Sequence, residues 1–241
     1  MPYYNYYYGF DWTYLVIIIP CLILSLIASA RVNSTFKRYS KQLSSRHITG
    51  ADAAQRVLQH NGVADVRIER VSGNLTDHFD PKANVIRLSD SVYDSTSTAA
   101  IGVACHEAGH AVQYAQKYFP IQIRAAIIPI TNFGSKLAMP LILIGVLLSA
   151  LGTISYTLVY IGIACFAFSL VFQLITLPVE FNASRRAMEA IKESEILTES
   201  EQKGARKTLT AAAMTYVAAT AVSIAQLLRL LSLFGNRRNR N

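Results

Sequence analysis

Apolar residues fall in two patterns along this chain: long unbroken runs at residues 14–30, 137–151 and 158–177, and shorter periodic stretches between 47 and 117. The run at 14–30 is about the minimum length that crosses a bilayer core. Arg31, Lys37, Arg38, Lys41 and Arg46 follow it, whereas no Lys or Arg precedes it. Cations collect on the cytoplasmic side of a span, so this asymmetry places the N-terminus outside and residue 31 onward in the cytoplasm. The run of tyrosines from Tyr3 to Tyr8, with Trp12 and Tyr14, suits the interface before an uncleaved anchor, since a secretory signal would open on positive charge.

The other two long runs are separated only by Gly152, Thr153, Ile154, Ser155 and Tyr156. They predict a transmembrane hairpin with a short outer loop, with Lys136 before it and Arg185, Arg186 and Lys192 after it marking both inner ends. Pro140 falls in the first turn of its span, where it is tolerated. Residues 121–134 are apolar but carry Arg124 and Pro129, which suits an interfacial or packing segment better than a full span. Residues 188–207 are polar and helical in pattern. The milder run at 208–228 is long enough to cross, but crossing would place Arg237, Arg238 and Arg240 outside. It is therefore read as a helix packed on the catalytic unit or the membrane surface, with the basic tail as a cytoplasmic contact to anionic lipid.

The periodic stretches predict a small α+β unit. Thr49 and Asp52 have capping-box spacing, and Ala53, Ala54, Val57 and Leu58 continue a helix that stops at Asn61 and Gly62. Residues 63–71 alternate apolar and polar, and Val85, Ile86, Arg87 and Leu88 form a second β-rich run. With turn signals between them, they predict a short antiparallel sheet whose edge an extended peptide could join. A further helix, capped by Asp94 or Ser95, is expected at about 96–117.

Composition agrees with a membrane protein carrying one modest polar unit: of 241 residues, 52% are hydrophobic and only 16% charged. The net charge of +8 does not point to nucleic acid, because the cations flank apolar runs instead of forming an aromatic-interleaved stripe. Cys21, Cys105 and Cys165 are odd in number and far apart, which argues against a disulfide framework and against a paired-cysteine zinc site.

The chemistry lies in the last predicted helix of that unit, at His106, Glu107, Ala108, Gly109 and His110. Two histidines four residues apart project from one helical face, so both imidazoles can reach a single Zn²⁺ with Glu107 beside its water as general base. Gly109 costs about 1 kcal/mol against Ala inside a helix, and close approach of another helix would explain it. Past the hairpin, Glu180, Ala183, Ser184 and Ala187 share one face after Pro178, which can open a new helix or kink the old one. Glu180 can complete a His₂Glu site; it can equally pair with Arg185 as an interfacial carboxylate. His78, Tyr93 and Arg186 are candidate oxyanion donors, while Tyr216 and Arg229 receive no catalytic role and His47 and His60 read as surface residues. Two other classes remain open: a non-catalytic scaffold with structural zinc, and an intramembrane protease of the site-two type whose motif helix itself spans.

His106 to His110, together with residues 177–187, residues 30–36 and residues 75–81, resembles the YugP-type family of bacterial neutral zinc metallopeptidases over nearly the whole chain. The resemblance implies one zinc per chain held by His106, His110 and Glu180, Glu107 as catalytic base, and a membrane-associated or unfolded polypeptide as substrate. More distantly the chain is similar to HtpX-type and prenyl-protein membrane proteases, whose third ligand opens a Glu-x-x-Ala-Asp pattern. Here that pattern ends in Ser184. The expected architecture is an α-helical, multi-pass plasma-membrane protein with a zincin-like α+β catalytic unit on the cytoplasmic side. It comprises an anchor at 1–30, a catalytic part at 31–134, the hairpin at 135–178, and helices with the third ligand at 179–241.

Overall fold

The computed structural model describes residues 14–148 and 152–235. The aromatic run through Trp12, residues 149–151 and the basic tail beyond Gly235 lie outside the described residues, whereas Thr153 to Tyr156 of the expected loop are already helical. A π-helical turn, Tyr14–Ile18, leads into α1, Ile19–Tyr39. Then come α2, Gly50–His60, three short strands, α3, Thr98–Ala115, and three long helices: α4, Phe119–Leu147; α5, Thr153–Glu193; and α6, Glu199–Gly235. Among the described residues, α1, α4, α5 and α6 are long and apolar enough to cross a membrane. Their outward apolar side chains stay uncovered, with Leu26 71% and Leu147 81% exposed, a surface suited to lipid rather than water.

The helix at α2 forms for the reasons its sequence shows. The Thr49 side chain accepts from the Asp52 backbone N–H, Asp52 accepts from that of Thr49, and Gly62 takes the left-handed conformation just past the end. The sheet differs from expectation. Its order is β1 (Arg67–Val71), β3 (Val85–Ser89), β2 (His78–Asp80); β1 pairs with β3 in parallel, and only β2 pairs with β3 antiparallel. The three-residue strand β2, too short to show alternation, makes the antiparallel pair on the other edge of β3, so that β1 and β3 run the same way. The chain then returns through β3 alongside β1.

The long apolar helices also differ from expectation. Residues 121–134 are not a separate interfacial segment: they are the first half of the continuous α4, which runs through both Pro129 and Pro140. Likewise α5 neither restarts nor ends at Pro178 but continues for 41 residues. Neighbouring helices and side chains can satisfy the carbonyl a proline frees inside a membrane helix, so such prolines need not break it. At Gly145 and Gly162 the α4 and α5 backbones approach closely. A Cβ on Gly145 would lie 2.8 Å from the Ser155 carbonyl oxygen, and one on Gly162 would lie 2.8 Å from that of Ala138.

One apolar core gathers α2, the inner face of β3 and α3, and it is completed from the far end of the sequence by Ala187, Ala190 and Ile191 of α5 and Ala205 and Leu209 of α6. The ends of the long helices α5 and α6 thus share one apolar core with α2, β3 and α3. Contrary to the site-two alternative, α3 is itself 18 residues long, is wrapped in this core and is not among the four apolar helices. The 208–228 stretch joins this apolar core through Leu209, and α6 packs along α1.

Candidate metal centre

Helix α3 starts two residues later than expected, because Ser97, not Asp94 or Ser95, accepts a bond from the Ala100 N–H. Its small residues Ala104, Ala108 and Ala111 are buried, and Gly109 meets α5 so closely that a Cβ there would lie 2.7 Å from the Ala183 carbonyl oxygen. That approach carries His106 and His110 to Glu180, so that one ligand atom from each lies within 4.8 Å of the others. Glu180 is only 2% exposed and does not bond Arg185, whose partner is Glu189.

The donor spacing tests whether these residues fit a metal ion. Glu180 Oε2 lies 3.2 Å from His106 Nε2 and 3.6 Å from His110 Nε2. Tetrahedral zinc with ligands at about 2.0–2.2 Å requires donor separations of about 3.4 Å, so the observed edges fit. The remaining ring nitrogens are occupied, which fixes which nitrogens face the centre. His106 Nδ1 bonds Ser184 Oγ at 3.1 Å, and His110 Nδ1 bonds Gln113 Oε1 at 3.0 Å. Ser184 thus occupies the orienting position beside His106 with a neutral hydroxyl. Gln113, fully buried, donates in turn to the Val179 carbonyl and to Asn182 Oδ1, both on α5, at 2.9 Å. The second Glu180 oxygen, Oε1, accepts from Arg124 Nη1 at 2.9 Å. One carboxylate oxygen is thereby held away and the other left toward the histidines.

The local charges favour a cation here. Burial disfavours the charged form of His110, yet its bond to Glu180 and the nearby charges of Glu107 and Glu180 outweigh that, and its affinity for a proton is raised above the ordinary histidine value. Asp77, across the cleft, is shifted upward mainly by burial and further by Glu107, although Ser89 donates to it from both backbone and side chain.

Two cavities flank the donors, and His106, Glu107, Glu180, Asp77 and Tyr216 line both. One, about 350 Å³, is walled by apolar residues of α1, α3 and α6, such as Phe36, Val103 and Ala213. The other, about 230 Å³, is more polar and holds His78, Phe79, Tyr114 and Arg124. Of the three oxyanion candidates, His78 lines the second of these cavities, with its Nδ1 bonded to the Thr76 carbonyl, and Tyr93 and Arg186 line neither. Tyr93 packs against the core with Arg70 over its ring, and Arg186 bonds Asn182 and Gln116 on α5 and α3's end. Tyr216 was missed as a site residue because an isolated Tyr in a mild apolar helix carries no spacing signal. Gln113 was missed although its place three residues after His110 puts it on the same helical face. His60 pairs with Glu193 at the surface, and burial pushes the Cys105 thiol well up, so it behaves as a small core residue.

Fold and donor set define a class: a protein of long apolar helices with a His₂Glu donor cluster set between a short buried helix and the foot of a membrane helix. Comparison with known proteins narrows it. Residues 14–235 match the family described as "Putative neutral zinc metallopeptidase", and this chain belongs to that family. It is 45% identical over 228 residues to "Putative membrane protease YugP" of Bacillus subtilis (strain 168), a match covering 95% of this chain and 99% of that protein. No solved structure matches it.

Proposed function

We propose that the protein is a membrane-embedded zinc protease that hydrolyses peptide bonds at the cytoplasmic membrane surface, with one zinc held by His106, His110 and Glu180. The observation that carries this reading is the Glu180 Oε2 position, 3.2 and 3.6 Å from the two imidazoles, while Glu107 on the same turn of α3 faces both cavities. Zinc bound there supplies Lewis acidity, acidifying water and polarising a scissile carbonyl. Glu107 is the base: its carboxylate takes the proton of the attacking water and passes it to the leaving amine. The Tyr216 hydroxyl and the His78 ring border the same cleft and are placed to donate to a developing oxyanion.

Substrate enters in extended form. Strand β2 is an edge strand, and its His78 and Phe79 line the polar cavity, so a peptide laid along it would cross the face of Glu107. Cations following α1 support a cytoplasmic unit with the N-terminus outside, and α6 packs beside α1. Its substrates are membrane-associated or unfolded polypeptides. Metal analysis of the purified protein and of two variants, alongside hydrolysis of an unfolded model substrate, tests the assignment. Glu107→Gln should retain one zinc and lose about 10²–10⁴-fold in rate. Glu180→Ala should lose the zinc; full occupancy in that variant removes Glu180 from the ligand set.

A further inference from the structure

On the side of the α1–α6 pair away from the metal lies a cleft of about 400 Å³. Its α1 wall is built from residues spaced at helical intervals, among them Leu24, Ile27, Arg31 and Arg38, and its α6 wall includes Lys207 and Met214. The two helices contribute in a graded way. Leu24 and Ile27, each 48% exposed, and Met214 make one end apolar, whereas Arg31, Arg38 and Lys207 gather at the other. Among the described residues no carboxylate pairs with these three cations; the one contact recorded for their charged ends is Arg38 over the Tyr39 ring.

We propose that this cleft is a binding site for an anionic phospholipid, its phosphate held by Arg31, Arg38 and Lys207 and its acyl chain lying along Leu24, Ile27 and Met214. The tendency of cations to collect at the inner end of a span explains why Arg31 and Arg38 follow α1. It does not explain why Lys207, some 170 residues later, comes to the same cleft with no acidic residue to offset it. Three like charges around one concavity repel until an anion enters, and basic pockets between membrane helices suit anionic headgroups. The apolar end selects a lipid over a small free anion. The opposite faces of the same two helices, with Phe36 of α1 and Ala213 and Tyr216 of α6, wall the apolar cavity beside Glu107. A lipid joining α1 to α6 therefore braces one wall of the metal cleft. The inference does not depend on the reaction catalysed at the metal.

Thermal unfolding of the whole protein in detergent, with phosphatidylglycerol, phosphatidylcholine or inorganic phosphate added, tests the site. Phosphatidylglycerol at about a hundred times its Kd should raise the midpoint by roughly 5–10 °C. Neither phosphatidylcholine nor inorganic phosphate should do so. The shift should vanish in the combined variant Arg31→Ala, Arg38→Ala, Lys207→Ala, whose zinc content, measured in parallel, should match that of the parent and shows that it is folded. Met214→Trp, which fills the apolar end without touching charge, should weaken the shift as well. An equal rise with phosphatidylcholine, an equal rise with inorganic phosphate, or a full phosphatidylglycerol shift in the combined variant would each overturn the proposal.

Discussion

Two helix contacts in this molecule use the same packing device for different ends. Where α4 meets α5, Gly145 and Gly162 let backbones approach until a single added carbon would collide, and the contact is surrounded by apolar side chains. Where α3 meets α5, Gly109 does the same against Ala183, but the residues around it are Gln113, Asn182, Ser184 and the three donors. In the hairpin, close approach serves adhesion between membrane helices, for which dispersion and snug packing are the main source of attraction. At the metal centre it serves as a ruler: the separation of two backbones sets the distance from two imidazoles to one carboxylate. A shift of an ångström is tolerable in the first contact and ruinous in the second.

Substitutions can break that contrast. Gly109→Val should have the largest effect, because its Cβ has only the Ala183 backbone to meet, and the purified variant should contain little or no zinc. One equivalent of zinc in it would show that this contact does not space the donors. Gln113→Ala removes the link between His110 and α5 without moving a backbone, and should weaken zinc affinity about 10–100-fold in competition with a chelator. Gly145→Ala should lower stability by about 1–3 kcal/mol while zinc stoichiometry stays at one, which is the outcome that separates the two contacts. Asp77→Asn should matter least. A folded-state value raised above that of an ordinary aspartate (about 3.9) favours the protonated form, so the parent loses stability as pH rises through that interval. The variant, unable to ionise, should show a flatter dependence of unfolding midpoint on pH there.

How legible these features are in the residues follows the same division. The pair His106 and His110 with Glu107 is visible because helical spacing alone places them together. Gly109 is visible as a cost in search of a neighbour, and Ala183 supplies it. Glu180 has no spacing signal, being 70 residues from His110, and family resemblance singles it out. Arg124 misleads: a cation in an apolar run argues against a membrane helix, but its partner Glu180 is on another helix, and the pair hides the charge. The parallel β1–β3 pairing is hidden for a similar reason, since β2 is three residues long and carries no period.

The order of the donors along the chain has one more implication. His106 and His110 lie on α3, before α4 and α5 begin, whereas Glu180 lies late in α5. A ribosome making this protein therefore exposes the imidazole pair well before the carboxylate exists. The three donors cannot come together until α4 and most of α5 have been made and α5 has docked on α3. Connectivity thus delays the donor cluster until the long helices that carry it have packed.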